Sequence, residues 1–246
     1  MFINGYTIEP GADLRGADLR GADLISADLR GAKISATDLR RANLRGANLR
    51  KAKLDDADLR AARLVKADLS DADLRVTDLR NADLTNANMS GADLRGADMR
   101  GADLSNAHLR NANLYAADLR WAYLNGTNLR GANLRWANLR EANLSGVDLR
   151  GAHGLPQAPV VPDIDKAIAA AVEKHGLNMD NWHCGTTHCR AGWAITLAGE
   201  AGQRLEAEIG PSAAGALIYA ASRNKPVPDF FASTEDALAS IKADAA

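Results

Sequence analysis

The sequence predicts a long stack of short extended segments joined by corners, followed by a small α-helical domain. Two observations predict it. From Ala12 to Ala152 the chain keeps an unbroken five-residue period, Ala-(Asp/Asn)-Leu-x-x. After Ala152 the period stops, a proline-rich stretch follows, and apolar residues then recur at helical spacing.

The large apolar position recurs 28 times, from Leu14 to Leu149, with only Ile34, Met89 and Met99 in place of Leu. The small position two residues earlier is Ala except at Thr37, Thr77, Thr127 and Val147. A helix cannot use this period, because successive Leu would spread around its axis. A flat strand cannot use it either, because an odd period would turn each Leu to the opposite face. A three-residue extended side followed by a corner satisfies it. Ala and Leu then point inward together, while the Asp or Asn between them and the two following residues point out. Frequent Gly, Asn and Asp near the corners suit tight turning.

Over residues 12–152 these repeats resemble the pentapeptide-repeat family. The resemblance implies an all-β right-handed quadrilateral β-helix, with four pentapeptides and hence 20 residues per coil. About seven coils follow. At strand spacing of about 4.8 Å per coil the rod would be roughly 34 Å long. Each coil covers its apolar edges only with its neighbours, so both ends need caps. Residues 1–11, with Phe2, Tyr6 and Ile8, are placed to cover the first coil, and the chain beyond Ala152 must cover the last.

A 20-residue coil makes the faces legible. One column is Arg20, Arg40, Arg60, Arg80, Arg100, Arg120 and Arg140. Beside it run Asp18, Asp38, Asp58, Asp78, Asp98 and Asp118, then Asn138. The column is either an anion-binding stripe or a self-neutralised ladder that fixes the register of the coils. A second column, Arg30, Arg50, Arg110, Arg130 and Arg150, is interrupted by Ser70 and Ser90 and has fewer acidic neighbours. A third face is mostly uncharged. Aromatic residues are absent from Ala12 to Leu114; Tyr115, Trp121, Tyr123 and Trp136 then follow within two coils, all at outward positions. Such a cluster marks a contact surface, and the expected cover is the C-terminal segment folding back on it.

Residues 153–162 read as a stiff Pro-rich linker, and 163–246 as the helical domain. Helices are expected over Asp163–His175, Thr187–Gly199, Glu200–Ile209, Ser212–Arg223 and Thr234–Ala243. The expected core is Trp182, Trp193, Leu197, Leu217, Ile218, Phe230, Phe231 and Leu238. The chemically loaded stretch is Trp182-His-Cys-Gly-Thr-Thr-His-Cys-Arg-Ala-Gly-Trp193. It resembles a Cys-Gly-Thr-x-x-Cys-x-Ala-Gly-Trp motif of uncharacterised bacterial and phage proteins, a resemblance that carries no activity. Three readings stay open. His183, Cys184, His188 and Cys189 are zinc-ligand types, and a workable subset is Cys184, His188 or Cys189, and the distant His175. Cys189 near a helix start has the setting of an activated thiol. Or the motif is structural, with Thr187 as helix cap and Gly192 giving room beside Trp193. A Cys184–Cys189 disulfide is geometrically open but does not suit a reducing compartment.

The 246 residues carry 30 basic and 31 acidic groups, so overall charge gives no reason to bind nucleic acid or anionic membrane. No apolar run is long enough for a transmembrane helix. Residues Met1–Arg15 lack the basic and apolar regions of a secretory signal, so the expected location is the cytoplasm. Residues 12–152 are net basic by four charges and 153–246 net acidic by four. The leading expectation is a non-catalytic protein-interaction scaffold without cofactor, a rod that presents a surface but no pocket, with homodimerisation through the helical domain as an added role. Some members of the resembled family mimic DNA and protect DNA gyrase or topoisomerase IV from quinolones. A net-positive repeat region does not suit that role. Zinc or thiol chemistry in the helical domain, and nucleic-acid binding through the Arg columns, complete the alternatives.

Overall fold

The computed structural model describes residues 1–175, 190–223, 225–228, 230 and 234–245. The residue before each Leu forms a parallel bridge with the residue 20 positions on, from Asp13↔Lys33 to Asn133↔His153. One circuit, or coil, therefore takes four pentapeptides. The repeats carry isolated bridges rather than strands, because a corner interrupts the extended backbone every five residues. Among the described residues the only strands are β1 (Phe2–Ile3) and β2 (Tyr6–Thr7).

Backbone hydrogen bonds explain why this period is stable. In coil one Leu19 N–H donates to Asp38 O at 2.8 Å and Gly21 N–H to Arg40 O at 2.9 Å, both in the next coil. Asp38 N–H donates back to Ala17 O at 3.0 Å, and Ala22 N–H closes the corner on Leu19 O at 3.1 Å. The fifth donor, Arg20 N–H, meets the side chain of Asp18 at 3.2 Å. The Asp/Asn preference thus has a local cause: a short side-chain acceptor two residues back. Every corner residue from Gly16 to Gly151 has positive φ, including Val76 at 57° and Trp136 at 65°. The interior is Leu and Ala, nearly all fully buried. Where Thr37, Thr77 and Thr127 replace Ala, each hydroxyl donates to a carbonyl of the preceding coil, at 2.7–2.9 Å.

The first coil is covered by the β1–β2 hairpin, turned through Asn4-Gly5 with both residues at positive φ. Ile8 is buried and Tyr6 half-buried, as expected, but Phe2 is 74% exposed. Neighbouring strand residues face opposite ways, and Ile3 is the one that packs on the core.

After His153 the chain leaves the last coil at Gly154. Its φ is 81°, and a Cβ there would lie 2.4 Å from the Arg135 backbone, so no side chain fits. Five helices follow: α1 (Ile164–His175), α2 (Arg190–Leu197), α3 (Gly199–Ile209), α4 (Pro211–Ser222) and α5 (Thr234–Ala245). Pro211 suits a first helical turn, where its missing N–H has no intrahelical partner to lose. α4 packs on α2 and α3, and α1 on α2 and α5. Trp193, Leu217, Ile218 and Phe230 are buried and Leu238 is half-buried, as expected. Leu197 is not in the core: it lies past the buried run Arg190–Ile195 and is 37% exposed. Trp182, Phe231 and Thr187 lie outside the described residues.

The helical part completes the edge of the last coil. Glu141 N–H donates to Ile209 O at 2.9 Å, Gly146 N–H to Pro228 O at 3.0 Å, and Val227 N–H to Val147 O at 2.9 Å. These are backbone groups that a further coil would otherwise pair.

Candidate interaction surface

On the Arg20–Arg140 face, six arginines are held by the aspartate two residues earlier. Arg20 Nε donates to Asp18 Oδ1 at 2.8 Å and its Nη2 to Oδ2 at 2.5 Å. Arg40, Arg60, Arg80, Arg100 and Arg120 repeat this two-point geometry. Each also approaches the aspartate of the next coil, as in Arg40–Asp58 at 3.5 Å, as far as Arg100–Asp118 at 3.6 Å. The hydrogen bonds from Arg20 hold the Asp18 carboxyl down at about 2, and Arg15 does the same to Asp13. These carboxylates are charged at any ordinary pH, so this stretch of the ladder is neutral.

The pattern changes in the last two coils. Asn replaces Asp before Leu at 113, 128, 133, 138 and 143, against 43, 48 and 88 in the five earlier coils. The amide oxygen still accepts the backbone N–H, at 3.1 Å for both Arg135 and Arg140, but supplies no charge. Arg130, Arg135 and Arg140 consequently have no ion pair among the described residues, and neither does Arg110, which follows His108 instead.

The four aromatics stand on these same coils. The helical part does not fold over them, contrary to expectation: Tyr115 is 42% exposed, Trp121 55%, Tyr123 54% and Trp136 73%. The reason lies in the docking geometry. Among the described residues, the end of α3 and the segment between α4 and α5 attach through the backbone edge of the last coil, at Glu141, Gly146 and Val147. Trp121 and Trp136 occupy left-handed corners, a conformation unfavourable to a bulky side chain. The Arg120 guanidinium lies 5.4 Å from the Trp121 ring centre. Where coil seven meets the helical part, an open groove of about 720 Å³ is lined by Arg135, Trp136, Asn138, Arg140, Leu155, Pro156, Glu208 and Ile209, among others.

The Pentapeptide repeats family matches in eight copies, over residues 11–41, 42–81, 77–115 and 117–153. The chain belongs to the pentapeptide-repeat family. Pentapeptide-repeat proteins of known structure resemble part of it. HetL, involved in heterocyst differentiation regulation in the cyanobacterium Nostoc sp. strain PCC 7120, shares 35% identity over 59% of this chain and 82% of its own, with a TM-score of 0.36. A thylakoid-lumen pentapeptide-repeat protein of Arabidopsis thaliana shares 34% over 41% of this chain and 66% of its own, with a TM-score of 0.30. QnrB1, a plasmid-mediated fluoroquinolone resistance protein, shares 22% over 61% and 78%, with a TM-score of 0.38. No curated protein matches the sequence.

His183, Cys184, His188 and Cys189, the zinc and thiol candidates, lie outside the described residues; His175 ends α1. Among the described residues no group of His, Cys, Asp and Glu could hold a metal ion. No helix there is long and apolar enough to cross a membrane.

Sequence reasoning missed the residue that follows this motif. Arg190 is 1% exposed and joins four helices. Its Nε donates to Tyr219 Oη at 2.8 Å, its Nη1 to Ser240 Oγ at 2.9 Å, and its Nη2 to Asp244 at 2.5 Å and Asp165 at 3.3 Å. Arg223 completes the cluster with two bonds to Asp165, at 2.7 and 2.8 Å. Burial pushes the Tyr219 hydroxyl up, against the pull of Arg190. A buried charge needs such partners. Their separations of 25 to 54 residues left no local signal.

Proposed function

We propose that the protein is a non-catalytic interaction scaffold: a right-handed, four-sided β-helical rod of about seven coils, capped by a helical domain over residues 163–246. Its contact surface is the Arg120–Arg140 wall of coils six and seven, with Trp121 and Trp136 at its two corners and Tyr115 and Tyr123 on the sides beyond them. The observation that carries this reading is the exposure of both tryptophans in left-handed corners, where each incurs a backbone penalty and a hydration penalty, offset at Trp121 by the Arg120 guanidinium beside its ring. Aromatic and arginine side chains are also the types that dominate protein interfaces. Mimicry of DNA toward a topoisomerase is the weaker reading. The Asp column is neutralised by its own arginines.

The test is affinity capture from cell lysate with the full chain, a Trp121→Ala/Trp136→Ala variant and an Arg20→Ala variant as distal control. A partner retained by the native chain and by Arg20→Ala, and lost with the double variant, is the expected result. Equal capture by all three would place the contact elsewhere.

A further inference from the structure

The chemistry of the groove at coil seven goes further than the general reading and rests on it. We propose that this groove takes an extended acidic segment of the partner protein, its carboxylates on Arg135 and Arg140 and its apolar side chains on Trp136, Leu155 and Pro156.

Charge complementarity selects the occupant. Arg135 and Arg140 stand on either side of the Trp136 corner, and both have lost the aspartate that neutralises their counterparts higher on the rod. Arg15, Arg75 and Arg95 occupy the position of Arg135 in other coils, and each is held by its own aspartate, at 2.6–2.7 Å. Asn133 and Asn138 keep the backbone hydrogen bond and remove only the charge. Two guanidinium groups are thus positioned without a counter-ion beside an exposed indole and an apolar Leu-Pro step. An extended peptide alternates its side chains, so carboxylates and apolar groups fall on opposite sides. Guanidinium forks bind carboxylates at two points.

A nucleic acid fits less well. Glu208 lines the same groove, and Glu141 lies at its helical edge, against Gly210. These carboxylates repel a long polyanion more than a short segment that carries only a few charges and adds apolar contacts.

The experiment uses the full-length protein and a fluorescein-labelled octapeptide of alternating Glu and Leu, followed by anisotropy at two salt concentrations. The controls are the same peptide with Gln for Glu and a labelled eight-nucleotide single-stranded DNA. Saturable binding of the acidic peptide, weakened by salt and by Gln, is expected. The decisive variant is Asn138→Asp, which folds because Asp holds that position in the six other coils. It occupies Arg140 internally and should weaken the peptide about 10-fold, the loss of one charge-assisted pair. Glu208→Gln should strengthen it. Affinity unchanged by Asn138→Asp, no binding of the peptide, or tighter binding of the DNA than of the peptide would each overturn the proposal. If the tryptophan double variant loses a captured partner that Asn138→Asp retains, the contact surface stands and the acidic partner falls.

Discussion

The Arg20–Arg140 face has a hollow towards each end, and the two differ in how their arginines are neutralised and in what stands at the corner. The hollow near the N-terminus, about 980 Å³, is lined by Arg20, Arg40 and Arg60, each gripped by its own aspartate, together with the corner residue Arg41 and the ring of Tyr6. The groove at coil seven instead joins Arg135 and Arg140, on adjacent sides of one coil, with asparagine in the aspartate's place and tryptophan at the corner between them. The architecture tolerates either, because the fold needs only the side-chain oxygen that caps the backbone N–H. Charge pairing is therefore adjustable independently of the fold. The arginines of this face from Arg20 to Arg120 are paired with their own aspartates; Arg130, Arg135 and Arg140 in coils six and seven have no ion pair among the described residues, and exposed aromatic side chains stand on the same coils.

The largest expected effect concerns what holds the last coil. Arg190→Met removes one side of a buried ionic cluster and leaves Asp244 and Asp165 dependent on Arg223 alone. Breaking such a cluster costs about 3–5 kcal/mol. Because the helices supply hydrogen bonds to Glu141 and Gly146, amide exchange at those two residues should accelerate, while protection in coils one to five stays unchanged. Uniform acceleration along the rod would mean that the two regions unfold as one unit, and the contrast drawn between them would fail energetically.

A middle-sized effect separates strain that serves binding from strain that does not. Val76 and Trp136 both sit at positive φ, at 57° and 65°, and both are exposed. Glycine relieves that conformation, and the gain for Val76→Gly and Trp136→Gly should be about 1 kcal/mol each in thermal denaturation. Only Trp136→Gly should reduce capture of a partner. Stabilisation by Val76→Gly without any by Trp136→Gly would show that the indole has packing of its own.

Much of this contrast was legible in the sequence, and the limits are physical. Leu at every fifth position identified the interior, since burial dictates residue type. Helix ends followed Gly199 and Pro211, which act locally on φ. Corner identity carried far less: Lys51, Asp56 and Trp121 all adopt the conformation that Gly adopts elsewhere, because stacking on neighbouring coils overrides local preference. Asn138 was visible as the break in the aspartate column, but its meaning depended on knowing that Arg140 receives no other carboxylate. The exposure of Trp121 and Trp136 depended on where the helices dock, and backbone hydrogen bonds at Glu141 and Gly146 leave no residue-type signature. Arg190 was hidden for a related reason: its partners converge only through tertiary packing.

The smallest effect uses acid to distinguish the ends of the rod. Asp13 and Asp18 titrate at about 2 in the folded protein, against about 3.9 in an unfolded chain. A carboxylate whose folded value is depressed contributes stability that is fully present above the unfolded value. That contribution is lost as the pH falls from about 4 through 2. Protonation there removes the counter-charges of Arg15 and Arg20 and leaves the guanidinium columns facing one another. Coil seven has Asn133, Asn138 and Asn143 where coil one has Asp13, Asp18 and Asp23, so on three of its four faces it has no such group to titrate. Amide exchange should therefore be flat from pH 7 to 4 after correction for intrinsic rates. Between pH 4 and 2 protection should decline in coil one more than at Leu134 and Leu144. These pairs are solvent-exposed, so the decline is small and should shrink further in 1 M salt. Equal loss at both ends would mean that the aspartate ladder does not stabilise the coils that carry it, and that its exchange for asparagine in coil seven altered only what that surface can bind.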